Sequence, residues 1–275
     1  MHRHWHEGWE SKIDTADNKP VCGLRAYGIQ KNGSPPEDYE DAYGFNKDAM
    51  CVADGATESI FSREFANMLV DSFISSLASE QSGLRQIMQT VIEKAGSQWS
   101  ELLLTRTLPW YAELKAAQGS HAAFTGIRLS PASPPASKKR LFFQKAAYRW
   151  EAVGVGDVCL IIVRDDELIK AFPVKSAAEF DNSPNLISSL DGPGNTHIET
   201  TSGELRQGDT VFLLSDALAE WFYKSHENGL FPWKTLGKIN SEVKFRLLIE
   251  RLRAAKQIKN DDATAIFITP GKLPR

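Results

Sequence analysis

The sequence predicts an α+β layered domain forming a single unit, 1–275. Short apolar runs, partly alternating and bounded by Gly, Pro, Asn and Asp, fall into groups of strands. Two long stripes with apolar residues at spacings of three and four stand between those groups as helices. Strict strand–helix alternation, the mark of a doubly wound parallel sheet, is absent. With 275 residues, 42% hydrophobic and 24% charged, there is enough chain for one large core.

In chain order, Val21 to Gln30 and Ala42 to Ala53 read as two strands, with KNGSPPED between them as turn material. Phe61, Phe65, Met68, Leu69, Phe73 and Leu77 then predict a helix over 58–80. A second helix starts near Leu84, carries Ile87, Val91, Ala95 and the Leu102 to Leu104 cluster, and is interrupted near Pro109. Two consecutive helices suggest a layer covering a sheet. After Gly119, HAAFTGIRLS, LFFQKAAYRWEAVGVG, VCLIIVR and ELIKAFPV are strands whose short connections favour antiparallel pairing. PASPPASKK, residues 131–139, reads as a hairpin tip, and 176–206 as a long surface excursion. DTVFLLS is a buried strand, ALAEWFY starts a helix, 241–256 form another, and ATAIFIT closes with a strand.

Composition narrows the partners. With 32 basic and 35 acidic residues, a net charge of −3, nothing points to nucleic acid or an anionic membrane. The seven tryptophans are scattered in apolar contexts and read as packing. Cys22, Cys51 and Cys159 form no disulfide framework, so a reducing compartment is the default. Residues 1–18 read as an N-terminal extension without the apolar stretch of a signal peptide. His2, His4 and His6 alternate within it, but a chain terminus rarely builds a rigid metal site. No later run approaches the ~20 apolar residues of a membrane helix. A cytoplasmic monomer is the expectation.

Acidic residues collect at strand ends: Glu40 and Asp41 before AYGF, Asp54 after MCVA, Asp157 beside VGVG, Asp216 after VFLLS, and Asp261 with Asp262 before ATAIFIT. Carboxylates brought together there repel unless a cation neutralises them, and oxygen-only ligands suit Mg²⁺ or Mn²⁺ better than zinc. Taken singly, each is better read as a turn former or helix cap.

Read together, EDAYGF, CVADGATES, VGVGDVCLIIVRDDEL, GDTVFLLSDALAEWF and KNDDATAIFI resemble, in that order, the motif series of the metal-dependent protein phosphatase family, type 2C, in a loosened bacterial form. The resemblance spans about residues 37 to 269. It implies a four-layer α-β-β-α sandwich of two mostly antiparallel sheets flanked by helices. It also implies a protein serine/threonine phosphatase acting on phosphoproteins with two or more Mg²⁺ or Mn²⁺ ions. Asp54 would bridge two ions, with the Gly55 carbonyl and Glu40 on one and Asp216 and Asp261 on the other. Asp41 would hold the attacking water, Asp157 would serve a further metal, and 176–206 would occupy the place of the family's variable flap. Such a pair of ions lowers the pKa of a shared water and neutralises phosphoryl oxygens, so no protein nucleophile is required.

Several positions depart from the family pattern. The arginine expected just before the acidic pair is replaced by SPPEDYED, with Pro36 nearest its place. Lys31, or Arg25 one strand earlier, is the candidate to bind the substrate phosphate, and Lys31 is preferred. Ala56 stands where some members carry histidine, and GDVC and SDA replace GDSR and SDG. These departures motivate an alternative, a phosphatase-like binding or sensing module without turnover. A thiol-based phosphatase is excluded, because positions six after the cysteines are Gly28, Thr57 and Asp165 instead of arginine. GVGDVC lacks the third glycine of a dinucleotide fingerprint and continues as a strand.

Overall fold

The computed structural model describes residues 22–79, 82–132, 146–180 and 184–270. Strand β1 (Cys22–Ile29) lies antiparallel to a strand from the other end of the chain, Ala263–Pro270. The strands between them are β2 (Ala42–Phe45), β3 (Ala49–Gly55), β4 (His121–Pro131), β5 (Ala146–Val155), β6 (Cys159–Arg164), β7 (Glu167–Phe172), β8 (Ile187–Ser188), β9 (Glu199–Arg206) and β10 (Thr210–Leu214), making the last one β11. One sheet has the order β1-β11-β10-β6-β7, the other β2-β3-β4-β5-β9 with β8 added on β4. Every pairing is antiparallel.

Side-chain alternation sets the layers. Met50 and Val52 of β3 meet Val211 and Leu213 of β10 and Ile266 and Ile268 of β11 in the core between the sheets. The residues between them face outward. Cys51 and Ala53 pack under α1 (Ser62–Ser79) and α2 (Leu84–Leu104), which deliver Phe65, Leu69, Phe73, Ile87 and Trp99. Beyond α2 comes the short α3 (Trp110–Ala116). On the opposite face Phe212, Leu214 and Phe267 pack under α4 (Asp216–Glu227), α5 (Pro232–Leu236) and α6 (Glu242–Ala254). Each fully buried Phe or Leu contributes about 1.5–3 kcal/mol, so all three apolar layers carry the fold. The architecture is the α-β-β-α sandwich.

The sequence reading needs correction in three places. The stretch 42–53 is a hairpin instead of one strand, because the Asn46 side chain accepts from the amides of Asp48 (2.9 Å) and Ala49 (2.8 Å) and turns the chain. The excursion 176–206 ends in a regular strand: β9, largely polar, pairs with β5 from Gly154↔Glu199 onward, so backbone pairing at a sheet edge defines it where apolar patterning does not. The first helix begins at Ser62, after a turn over 57–61. Residues 133–139 of the expected hairpin tip, and the extension 1–18, lie outside the described residues; the flanking β4 and β5 pair as far as Pro131↔Tyr148.

Candidate active site

Antiparallel pairing brings alternate strand ends to the same edge of the sandwich. Ala42 pairs with Ala53, and Leu214 with Ala265, so the starts of β2 and β11 meet the ends of β3 and β10. Asp41, Asp54, Asp216 and Asp261 stand at those four ends. Asp157 reaches the same place because Gly156, at φ +84°, turns the chain from β5 in one sheet to β6 in the other. A Cβ on Gly156 would lie 2.7 Å from Cβ of Ala123 and 3.0 Å from the Asn185 carbonyl, so this position has no room for one.

The five aspartates feel one another. Burial, then the charges of Asp41, Asp216, Asp157 and Asp261, hold the Asp54 carboxyl well above the usual carboxylate range. Asp41 is buried and held well up by burial and then by Asp262. For Asp216, burial and then Asp157 and Asp261 push the value up to about 7, while Lys259 and the Ala217 amide work against the rise. One oxygen of Asp41, Oδ2, accepts from the Thr264 hydroxyl at 2.5 Å, and that hydroxyl is in turn contacted by Tyr39. The other, Oδ1, is buried with no hydrogen-bond partner.

Glu40 and Lys31 form an adjoining pair. Glu40 Oε1 accepts from Ser62 (2.6 Å), and Oε2 accepts from Thr57 (2.7 Å) and from the Lys31 ammonium (2.8 Å). Burial works to lower the Lys31 pKa, but the hydrogen bond and charge of Glu40, with the charges of Asp262 and Asp261, together outweigh it and raise the value. Asp262 braces both residues through the backbone, accepting from the amides of Lys31 (2.8 Å) and Glu40 (2.6 Å). Gly55 packs against the same corner, where a Cβ would stand 2.8 Å from the Ser62 carbonyl and 2.9 Å from the Glu40 carbonyl. Arg25, the second phosphate candidate, is spent elsewhere, donating to the Ile239 carbonyl (2.6 Å) and lying over the Phe267 ring.

Four participants escaped the sequence reading. Asp262 appears in the sequence reading only among the acidic residues before the last strand, with no role assigned. Thr264 lies within the last motif, KNDDATAIFI, but carries no signal of its own there. Thr57 and Ser62 carry no signal beyond their nearness to Asp54 and Gly55. A further residue, Lys259, lies within 3.8 Å of Asp216 and 3.6 Å of Glu220. Cys51 and Cys159 are buried free thiols, and burial pushes both pKa values up, which removes any thiolate chemistry from this site.

Among the described residues, no three His, Cys, Asp or Glu side chains already stand in a metal-holding arrangement. The donor chemistry nevertheless fits a hard divalent cation. The ligand atoms available are all oxygen, their charges repel without a counter-ion, and a buried carboxylate oxygen lacks a partner.

The fold agrees with the comparisons. A model of the protein phosphatase 2C family matches residues 27–265, and the chain belongs to that family. By membership it is a protein serine/threonine phosphatase. Among solved structures it is similar to the serine/threonine phosphatase PstP/Ppp of Mycobacterium tuberculosis, with 16% identity, a TM-score of 0.59, and 90% of this chain and 99% of that one covered. The serine/threonine phosphatase Stp1 of Staphylococcus aureus matches with 14% identity and a TM-score of 0.62, over 99% and 100% of the two chains. The catalytic domain of PstP in complex with two manganese ions matches with 16% identity and a TM-score of 0.56, over 90% and 97%. At such identities these likenesses show the fold. No curated protein matches the sequence.

Proposed function

We propose that the chain is a Mg²⁺- or Mn²⁺-dependent phosphomonoester hydrolase that removes phosphate from serine and threonine of phosphoproteins. One observation carries this reading: aspartates from five separate segments meet at one edge of the sandwich, where burial and the neighbouring carboxylates raise the pKa values of Asp41, Asp54 and Asp216, and Oδ1 of Asp41 is buried without a hydrogen-bond donor. A fold with no use for cations gains nothing from such repulsion. PstP, crystallised with two manganese ions, offers a parallel for the metal requirement.

In this reading Asp54, the Gly55 carbonyl, Glu40, Asp216 and Asp261 would hold two cations, and Asp157 would hold a further, weaker one. When bound, the cations acidify a water and neutralise the phosphoryl oxygens. The chain's own groups do the rest. Asp41, fixed by Thr264, would hold and orient the attacking water through Oδ1, which has no donor of its own. Lys31 has three N–H donors and uses two, on Glu40 and Thr57, so a third remains for a phosphoryl oxygen. The connection before β9, which passes Gly156 at Asn185, lies beside the site and is the element proposed to select substrate.

The test is hydrolysis of p-nitrophenyl phosphate and of a phosphothreonine peptide. Mn²⁺-stimulated turnover that Asp54→Asn abolishes is expected, together with a raised KM for the peptide in Lys31→Ala. A folded, manganese-loaded protein without turnover would support a non-catalytic phosphatase-like module instead.

A further inference from the structure

We propose that Lys259 is a second phosphate-contacting residue, reaching the substrate's phosphoryl oxygens from the Asp216 side of the site while Lys31 serves the Glu40 side. The inference rests on the phosphatase reading and extends it. A phosphoryl group entering a cluster of five carboxylates is repelled by each of them, so cationic side chains aimed at its oxygens are needed beside any bound cation. Among the described residues, Lys259 is the one basic side chain within ion-pair distance of those aspartates.

Its backbone is fixed and its head is loose. Helix α6 ends with Lys256 at φ +54° and the Gln257 amide bonded back to the Leu252 carbonyl at 2.9 Å, a left-handed stop that fixes the exit direction. Ile258 is then buried in the core beneath α4 and α6. On the other side of Lys259, Asn260 is bonded twice to Asn32, accepting from its amide (2.8 Å) and donating to its carbonyl (3.2 Å). The residue is thus held between two anchors. The ammonium, in contrast, pairs only loosely with Asp216 and Glu220, at 3.8 and 3.6 Å, and the side chain is 43% exposed. Lys31, with a 2.8 Å hydrogen bond to Glu40 and 20% exposure, is far more committed. Turning Lys259 from two long contacts onto a phosphate oxygen sacrifices little, because a loose, half-exposed pair contributes little to stability. Glu220 also pairs with Lys224 at 2.8 Å, so it keeps a counter-ion when Lys259 leaves.

The experiment compares the full-length chain with Lys259→Ala and Lys259→Arg. Inhibition by inorganic phosphate and KM for p-nitrophenyl phosphate are measured in manganese, and Mn²⁺ affinity is measured by calorimetry. Loss of one charge-assisted hydrogen bond should weaken phosphate about tenfold in Lys259→Ala, with arginine restoring most of it. Mn²⁺ affinity should stay the same or tighten, since the alanine removes a positive charge beside Asp216. An unchanged phosphate constant, or one that falls only in step with lost Mn²⁺ affinity, would overturn the proposal. Absence of turnover in the unaltered chain would count against the phosphatase reading itself; calorimetric phosphate binding by the same three proteins then still decides Lys259.

Discussion

Asp41 shows how much a single side chain depends on its neighbours. Its carboxylate is held by the Thr264 hydroxyl on one oxygen, while the other is buried near Asp54 without a donor, so Thr264 fixes how the carboxylate is turned. Thr264→Val keeps the shape and deletes the donor. It should cost about 1–3 kcal/mol, the penalty for stranding a buried polar group, and lower kcat for p-nitrophenyl phosphate, with Thr264→Ser retaining both. Equal melting temperatures and equal kcat for the valine variant and the unaltered protein would show that Thr264 plays no such role. The acidic residues themselves are legible in the sequence as a set, because together they stand at strand ends in an ordered series of motifs, although each alone passes for a turn former. Thr264 and Lys259 are not, since a threonine in a strand and a lysine in a turn are common without any partner.

At the scale of elements, the corner between β3 and α1 is built by close backbone approach. Gly55 ends β3 where both the Ser62 and Glu40 carbonyls come within 3 Å of any added Cβ, at 2.8 and 2.9 Å. Neither is the tip of a flexible side chain, so Gly55→Ala must displace backbone. The expected loss is about 1–3 kcal/mol, seen in denaturant melts, together with weaker Mn²⁺ binding because Ser62 and Glu40 shift together. A variant as stable as the parent and with equal Mn²⁺ affinity would show that the corner yields. Helices α1 and α2 and strands β4, β6 and β10 are readable from periodicity, since each buries an apolar face. β9 is not readable, because its residues alternate polar with polar and its place comes from hydrogen bonds to β5. The turn at Asn46 escapes for a related reason: a side chain capping its own backbone leaves no gap in apolar patterning.

For the molecule as a whole, the acidic edge sets a pH dependence with a definite sign. Asp216 is raised from an ordinary 3.8 to about 7, and Asp41 and Asp54 move the same way. Without metal, the folded chain retains protons that the unfolded chain has released. That contribution to stability is fully present below about pH 3.8 and is lost as the pH rises through about 7. The melting temperature of EDTA-treated protein should therefore fall between pH 4 and 7, and Asp216→Asn should flatten the fall. Mn²⁺ should restore stability most at the upper end, where the carboxylates are ionised and able to bind it. A metal-free melting temperature that rises across this range would contradict the arrangement. We further expect one cooperative transition, because β1 closes on β11 and the inter-sheet core draws on strands from the whole described chain. By itself the sequence determined the fold class, the order of strands and helices in outline, and the set of acidic residues, since apolar periodicity and charges at buried strand ends are local properties. Tertiary structure alone decided which strands share a sheet, that Glu40 faces Lys31, and that Lys259 faces Asp216. Those depend on contacts between residues as far apart as Lys31 and Asp262, which no local pattern encodes.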